Sequence, residues 1–536
     1  MTRCLLVLYA TRFFTHWSFT RHITHKINSR PIIMKKQIAI VLCVVAINGT
    51  KAQMFNPLLA DMLQDTLDTY VASIPNIKGM SASVLLPGQG IWQGTVGVSF
   101  AGQPITPDME FGIASNTKLF VAAAILLLDE NNTISLDDSL HTWLPTHTNV
   151  NPNITIRQLL NHTSGVSDPI FIAPLVNEIM ANPTQVFTPD EVLSYLGAPL
   201  FAAGTGWGYS NVNYILAGMV AQSATGFHIS EIIRDSILTP LALNNTFYDV
   251  EEPEVGTIAH RWFNTIDYSD TSRVGLNTAG GCAGALFSTS ADMVNWYHAL
   301  MNGQILDAQS FAELTDFIDT PATYDYGLGL ESRIWYNHPT WGHGGSTWGY
   351  KSKMLYDPCM NAVVCGLTNS WPAGSDAVVL KLFSVLVNHL PQCGAIISGP
   401  ENVAQGDNAI IYTVTEIPNA TSYVWTLPEG ASGTSSTNSI SVDYSTSAVS
   451  GDIEVVGINE YGNGAPSTLA ITVNELPPAP CPGDFNFDGT INTSDLLLFM
   501  SGFGCVAECA SDMNNDGNAN TSDLLLFMAL YGSICL

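Results

Sequence analysis

Basic residues are what this sequence has least of. Its 536 residues hold 18 Lys+Arg against 46 Asp+Glu, and eight of those 18 fall within the first 52 positions, where there is no acid. Past that point ten basic residues face all 46 acids, a balance of −36, and residues 394–536 carry 16 acids with no lysine or arginine. Such a charge repels polyanions, which excludes nucleic acid and anionic membrane as partners. Long apolar runs are missing as well. The run Ile38–Ile47 is ten residues long, about half of the ~20 that a membrane-spanning helix needs. Lying between Lys35-Lys36 and a polar stretch that ends at Ala52, it has the form of a secretory signal peptide over 34–52. Residues 1–33 are expected to be an upstream extension with no role. Cys43 lacks the small preceding residue of a lipid-attachment site, so the product is expected to be secreted, periplasmic or at the cell surface, without a transmembrane segment. Cysteine is sparse too: of ten, eight follow Ala52, an even number suited to disulfides in an exported protein.

The remaining length is too great for a single core and predicts two or three domains. Residues 53–393 mix helical and strand patterns. A helical stretch at 57–73 precedes the alternating run MSASVLLPGQGIWQGTVGVSF, a hairpin turned at Pro87–Gly90. Late in the segment GYKSKMLYDP, a turn at Cys359–Asn361 and AVVCGLTN form a second strand pair, followed by an apolar helix over 375–390. Early and late strands with helices between them predict one antiparallel sheet flanked by helices, an α/β (α+β) domain. Residues 394–474 change to short β-rich runs (AIIYTV, SYVWTL, SISVDY, DIEVVGI, LAITV) divided by turn residues, which predicts a β-sandwich with Tyr423 and Trp425 in or near its core. This segment resembles the Ig-like or PKD-like modules appended to secreted bacterial proteins. A stiff proline-rich linker, 475–480, follows.

Beyond the linker DFNFDGTINTSDLLLFM and DMNNDGNANTSDLLLFM agree at 13 of 17 positions with an offset of 28. In each copy oxygen-bearing side chains stand at loop positions 1, 3, 5, 9 and 12 with glycine at 6, the ligand schedule of a calcium loop. Asp484, Asn486, Asp488, Asn492, Asp495 and the Thr490 carbonyl are one candidate Ca²⁺ set. Asp512, Asn514, Asp516, Asn520, Asp523 and the Asn518 carbonyl are the other. Aspartate rather than glutamate at position 12, and one helix after each loop with none before it, make residues 481–536 resemble a dockerin module. That resemblance implies two structural Ca²⁺ ions, a small helical EF-hand-like fold and a cohesin-like or surface partner. Cys481, Cys505, Cys509 and Cys535 are expected to pair within it, in a connectivity left open.

A chemical site is suggested by FGIASNTKLF, residues 111–120. The apolar FGIA and the strong helix former after it place Ser115 at a helix N-terminus, with Lys118 on the same face one turn on. Helix-terminal N–H groups could stabilise an oxyanion, and an unprotonated lysine could take the serine proton. Ser-x-x-Lys by itself is a weak signal. Two further motifs follow in order, Tyr209-Ser210-Asn211 and His343-Gly344-Gly345.

Together the three motifs resemble those of the penicillin-recognising serine hydrolases, nearest to the branch of class C β-lactamases, D-Ala-D-Ala carboxypeptidases and esterases. LLNHTSG (159–165) and GGCAGALFSTSADM (280–293) look like further segments of the same family. The resemblance implies that Ser115 is the nucleophile, Lys118 its general base and Tyr209 a proton relay, with Asn211 bonding the acyl side of the substrate. It implies His343 beside the tyrosine, where many relatives have lysine. Gly344 and Gly345 would let an edge strand approach the substrate, and the Ser346 N–H would complete the oxyanion hole with that of Ser115. No catalytic cofactor is expected. Histidine in the third motif, with no glutamate suited to activate a deacylating water, favours action on D-amino-acid peptides or small esters over β-lactamase activity. The alternative of another class is a non-catalytic binder of cell-wall peptides. Lys351, Lys353 and Arg333 are candidate clamps for a substrate carboxylate, and Cys282, Cys359, Cys365 and Cys393 are candidate disulfide partners.

Overall fold

The computed structural model describes residues 54–475, 481–507 and 509–535. The expected upstream extension, the signal peptide and all but the first residue of the linker lie outside them. The early hairpin forms because Gly88 and Gly90 adopt φ of +75° and +85° at its turn, a conformation that costs glycine little. Its strands, Gly79–Leu86 and Gly90–Phe100, lie in an eight-stranded sheet. The late pair, Tyr350–Asp357 and Ala362–Thr368, joins them directly, with Met80 opposite Thr368 and Val84 opposite Val364, so one sheet unites the two ends of the segment. His338–Thr347 pairs next, then Glu331–Trp335 and Asp325–Tyr326, while Gln103–Pro104 closes the other end.

Alternation along Gly79–Leu86 divides two apolar layers. Met80, Ala82, Val84 and Leu86 face helices Pro57–Ser73 and Asp376–His389. Ser81 and Ser83 face the opposite way and both bond the Ser290 hydroxyl, at 2.9 and 2.8 Å, at the start of helix Ser290–Met301. On that side lies the larger core, which contains the buried face of helix Thr117–Glu130.

The short strand Met109–Gly112 leads the chain into that helix, and it holds a buried carboxyl. Neither oxygen of Glu110 has a well-formed hydrogen bond, and burial, reinforced by the charges of Glu254, Asp292 and Asp108, pushes its pKa up to about 7 against partial compensation from the Gly256 backbone. The folded state therefore keeps a proton that the unfolded chain gives up near pH 4.5. Stability falls as pH rises from there to about 7 and is flat above. Glu110→Gln is expected to match the wild type at acid pH and to exceed it above neutrality, read as thermal midpoints across that range; a parallel pH dependence in the two proteins would refute the assignment.

Residues 395–475 form two four-stranded sheets. One runs Ile397–Ser398, Ile410–Val414, Ser439–Tyr444 and Ala431–Ser432; the other runs Asn402–Ala404, Gly462–Asn474, Gly451–Asn459 and Ser422–Thr426. The aromatic core is Tyr412 and Tyr444, whose hydroxyls meet at 2.9 Å, whereas Tyr423 and Trp425 are half-buried and pack against its margin. A disulfide, Cys359–Cys393, ties the connector before this sandwich to the turn between the late strands, while Cys282 and Cys365 are buried free thiols. Residues 481–535 hold two short helices, Thr493–Ser501 and Thr521–Leu530, around Ile491, Phe499 and Phe527, with disulfides Cys481–Cys535 and Cys505–Cys509. No helix among the described residues is long and apolar enough to cross a membrane.

Candidate active site

Ser115 lies in a 3₁₀ turn, Ala114–Asn116, that runs straight into helix Thr117–Glu130. The two residues between serine and lysine anchor this turn. Asn116 donates to the Ser352 hydroxyl at 2.8 Å and accepts from Tyr297 at 3.2 Å; the Thr117 hydroxyl accepts the Leu286 N–H at 3.1 Å. Ser352 in turn donates to the Ile113 carbonyl at 2.6 Å. Ala114 has φ of +50°, a strained setting for a residue with a β-carbon, held immediately before the serine.

Lys118 is fully buried, and its Nζ lies 3.1 Å from Ser115 Oγ, 2.8 Å from Asn211 Oδ1 and 2.8 Å from the Ala283 carbonyl. Burial pulls its pKa down to about 7, with Asp168 opposing the shift. An amine of that kind is unprotonated in a large fraction of molecules at neutral pH and can accept the serine proton. The Tyr209 hydroxyl bonds Ser115, and burial holds its pKa well above the usual phenol range, so it stays protonated and can donate. The lysine Nζ sits 4.9 Å from the centre of the Tyr209 ring.

Asn211 opens helix Asn211–Thr225, and its amide is spent within the protein. Its oxygen takes the Lys118 hydrogen, while its Nδ2 and backbone N–H both donate to Asp168 Oδ2, at 2.7 and 3.1 Å. Asp168 thereby orients the amide so that oxygen faces the lysine. The contacts of Asn211 within the protein thus give it the part of holding the base, beside the expectation that it bonds the acyl side of a substrate.

His343 and Gly345 belong to strand His338–Thr347. That strand lies inside the sheet, yet its register with Glu331–Trp335 ends at Gly342, so from His343 onward it borders the site as an edge strand does. A β-carbon on Gly345 would stand 2.2 Å from both the Ile113 carbonyl and Ser352 Oγ. The glycine therefore permits close approach to the turn bearing Ser115, and Gly344 has ordinary space around it. Ser346 lines the same cleft as Ser115, together with Ile170, Phe171, Asn211 and Leu276. His343 is buried, with its ring 6.1 Å from that of Tyr209, but its hydrogen bonds go to Tyr326 at 3.0 Å and to the Gly344 carbonyl at 2.6 Å.

Sequence reasoning assigned no part to Asp168, Ala283 or Tyr326. Asp168 follows LLNHTSG by three residues and Ala283 lies within GGCAGALFSTSADM, so the available signal was proximity to family-like segments. The candidate clamps do not line the cleft: Lys353 and Arg333 both bind Glu331, at 3.4 and 3.1 Å.

In each C-terminal loop the carboxylates of positions 1, 5 and 12 converge. Asp484, Asp488 and Asp495 bring oxygens within 4.8 Å of one another, and Asp512, Asp516 and Asp523 do the same. Backbone N–H groups at positions 5 and 6 point into both loops, at Asp484 and Asp512. Three hard oxygen donors on a short loop fit a calcium ion. Asn492 and Asn520 cap the following helices, their amide oxygens accepting from Ser494 and Ser522.

A family model described as beta-lactamase matches residues 64–388, and one described as PKD-like domain matches residues 390–471. A penicillin-binding protein of Bacillus subtilis is 32% identical over 146 residues, covering 27% of this chain and 32% of its own length. Protein flp of Staphylococcus aureus is 25% identical over 299 residues, covering 53% of this chain and 57% of its own. The chain thus spans less than two thirds of these curated relatives. Among solved structures, a D-stereospecific amidohydrolase from Streptomyces sp. is similar at 27% identity and TM-score 0.54, over 60% of this chain and 97% of that one. A D-amino acid amidase from Ochrobactrum anthropi SV3, complexed with L-phenylalanine, is similar at 26% identity and TM-score 0.56, over 62% and 98%.

Proposed function

The chain belongs to the beta-lactamase family of serine hydrolases, and from that premise we propose that it hydrolyses D-amino-acid amides and peptides, or small esters, through an acyl-serine intermediate. The observation that carries the proposal is the contact of Lys118 Nζ with Ser115 Oγ at 3.1 Å inside a buried site that lowers the lysine's pKa. In the first half-reaction Ser115 Oγ attacks the carbonyl carbon while its proton passes to Lys118. The Tyr209 hydroxyl then protonates the leaving nitrogen or oxygen and recovers a proton from the lysine. Water repeats the sequence on the acyl-enzyme. Backbone N–H groups of Ser115 and Ser346 receive the oxyanion.

Apolar Ile170, Phe171 and Leu276 in the cleft support an apolar substrate side chain, and the absence of lysine and arginine from its described lining favours neutral amides and esters over a free terminal carboxylate. This leaning agrees with the amidases among the structural neighbours more than with a carboxypeptidase or a β-lactamase. An intact nucleophile and base disfavour the non-catalytic binder. Export to the periplasm, exterior or cell surface is part of the proposal, as is a dockerin-like role for residues 481–535. There two Ca²⁺ ions would sit on the convergent aspartates, and the exposed Leu497, Leu498, Leu525 and Leu526 would meet a cohesin-like partner.

Intact-mass spectrometry tests the core of this reading. Exposure to a D-phenylalanine aryl ester, a D-Ala-D-Ala thioester and a penicillin should add an acyl mass to the wild type and none to Ser115→Ala. An adduct that persists in Ser115→Ala would place the nucleophile elsewhere, and no adduct with any of the three would return the binder.

A further inference from the structure

The third family motif begins with a residue whose chemistry is already spent. His343 Nδ1 lies 2.6 Å from the Gly344 carbonyl and needs a hydrogen to bond it. Its Nε2 lies 3.0 Å from the Tyr326 hydroxyl. With the single hydrogen of a neutral imidazole on Nδ1, Nε2 is an acceptor and the phenol is its donor.

Tyr326 is well placed to hold that arrangement. It is fully buried. Its backbone is clamped on both sides, by reciprocal bonds of 3.1 Å with Ile318 and by pairing with Glu331. Its ring stands edge-on to Tyr209, at 6.3 Å and 88°, and lies 4.9 Å from the buried His162. Tyr326 is thus wedged between the tyrosine that bonds the nucleophile and the histidine of the third motif.

We propose that Tyr326 is a positioning residue: its hydroxyl fixes His343 as the neutral Nδ1–H tautomer and occupies the nitrogen through which the imidazole could have exchanged a proton with Tyr209. Proton traffic is then confined to Ser115, Lys118 and Tyr209, and His343 serves as an uncharged wall of the site. The charged and titratable groups facing His343 are Glu331 on the neighbouring strand, Lys353 on the following one, Lys118 on the nucleophile helix, Tyr209, Tyr326, and the buried His162 packed behind both tyrosines. Burial is the strongest influence and holds the imidazole neutral, with Lys118 and Lys353 reinforcing it and Glu331 opposing.

The inference rests on the hydrolase reading of the same site, but it can be tested without turnover. In protein labelled with ¹⁵N-histidine, the His343 signal being assigned by its loss in His343→Gln, the wild type should show hydrogen on Nδ1 and no titration between about pH 5 and pH 8. Titration in that range, or hydrogen on Nε2, would overturn the proposal whatever the fate of the variants. Tyr326→Phe leaves the Gly344 carbonyl as the one remaining hold on the tautomer, so it should weaken the Nδ1–H preference, raise the His343 titration, and lower kcat by about tenfold with little change in KM. Tyr324→Phe, whose ring lies 6.2 Å from that of Tyr326, should alter neither readout. A folded Tyr326→Phe with unchanged ¹⁵N shifts and kcat would also overturn it. Loss of the Ser115 adduct would sink the hydrolase reading and leave the tautomer result standing.

Discussion

Replacing Lys118 with methionine is expected to lower kcat/KM by about a thousandfold, within the range that a positioned general base contributes. The methionine is close in length to the stem it replaces, so the packed core around the nucleophile helix should persist. What disappears is the nitrogen between Ser115 Oγ, Asn211 Oδ1 and the Ala283 carbonyl. Two acceptors lose their donor, while the cost of burying an ionisable amine is removed, so thermal stability should change little. The wild type should show its own signature in pH. Below about 7 the lysine carries a proton and cannot accept another, so kcat/KM should fall tenfold per unit as pH drops. The limb ends at a plateau because the phenol of Tyr209 stays protonated well above the usual range. In the Lys118→Met variant the residual rate should lose that limb. A variant that keeps both the limb and the rate would show that another group accepts the serine proton.

Much of this site is legible as text, because its parts are local. Ser115 and Lys118 are one helical turn apart, and a helix former after a short apolar strand is enough to place them. Tyr209 and His343 follow from motif order. Asp168 is illegible, because its role depends on a loop folding back so that its carboxylate meets both the Asn211 backbone and side chain, 43 residues away. Tyr326 is hidden for a related reason: it belongs to a two-residue strand whose position is fixed by pairing on both sides. The family resemblance implies glycines that let a strand approach the substrate, whereas the neighbour that Gly345 admits is the backbone carbonyl of Ile113, which only tertiary packing reveals. Disulfide pairing shows the same limit. Cys505–Cys509 is nearly adjacent in sequence, yet Cys481–Cys535 closes the two ends of the repeat.

Chelation of calcium is expected to unfold residues 481–535 while leaving the hydrolase rate unchanged. The repeat is too short to bury a self-sufficient core. Among its described residues, fully enclosed apolar side chains are few: Ile491, Phe499, Ala519 and Phe527, whereas Leu497 and Leu525 are 68% exposed. Of the two disulfides, Cys505–Cys509 spans four residues and therefore restricts the unfolded chain little, which leaves Cys481–Cys535 as the main covalent constraint. Against this stand six aspartates gathered in two groups of three, each within 4.8 Å. Without a cation each group repels itself, and with one that repulsion becomes ligation energy, so binding and folding are coupled. Hydrogen exchange of the full chain reads this directly. Amides of Thr493–Ser501 and Thr521–Leu530 should lose protection in EGTA and regain it with added Ca²⁺, and Asp495→Ala and Asp523→Ala should each impair recovery, in the first and second helix respectively. Peptides around Ser115 should exchange alike in both conditions, because no convergent set of three metal-binding side chains lies near that site among the described residues. Helices that stay protected in EGTA would mean that apolar packing and the long disulfide suffice, and the aspartates would then be a solvated surface.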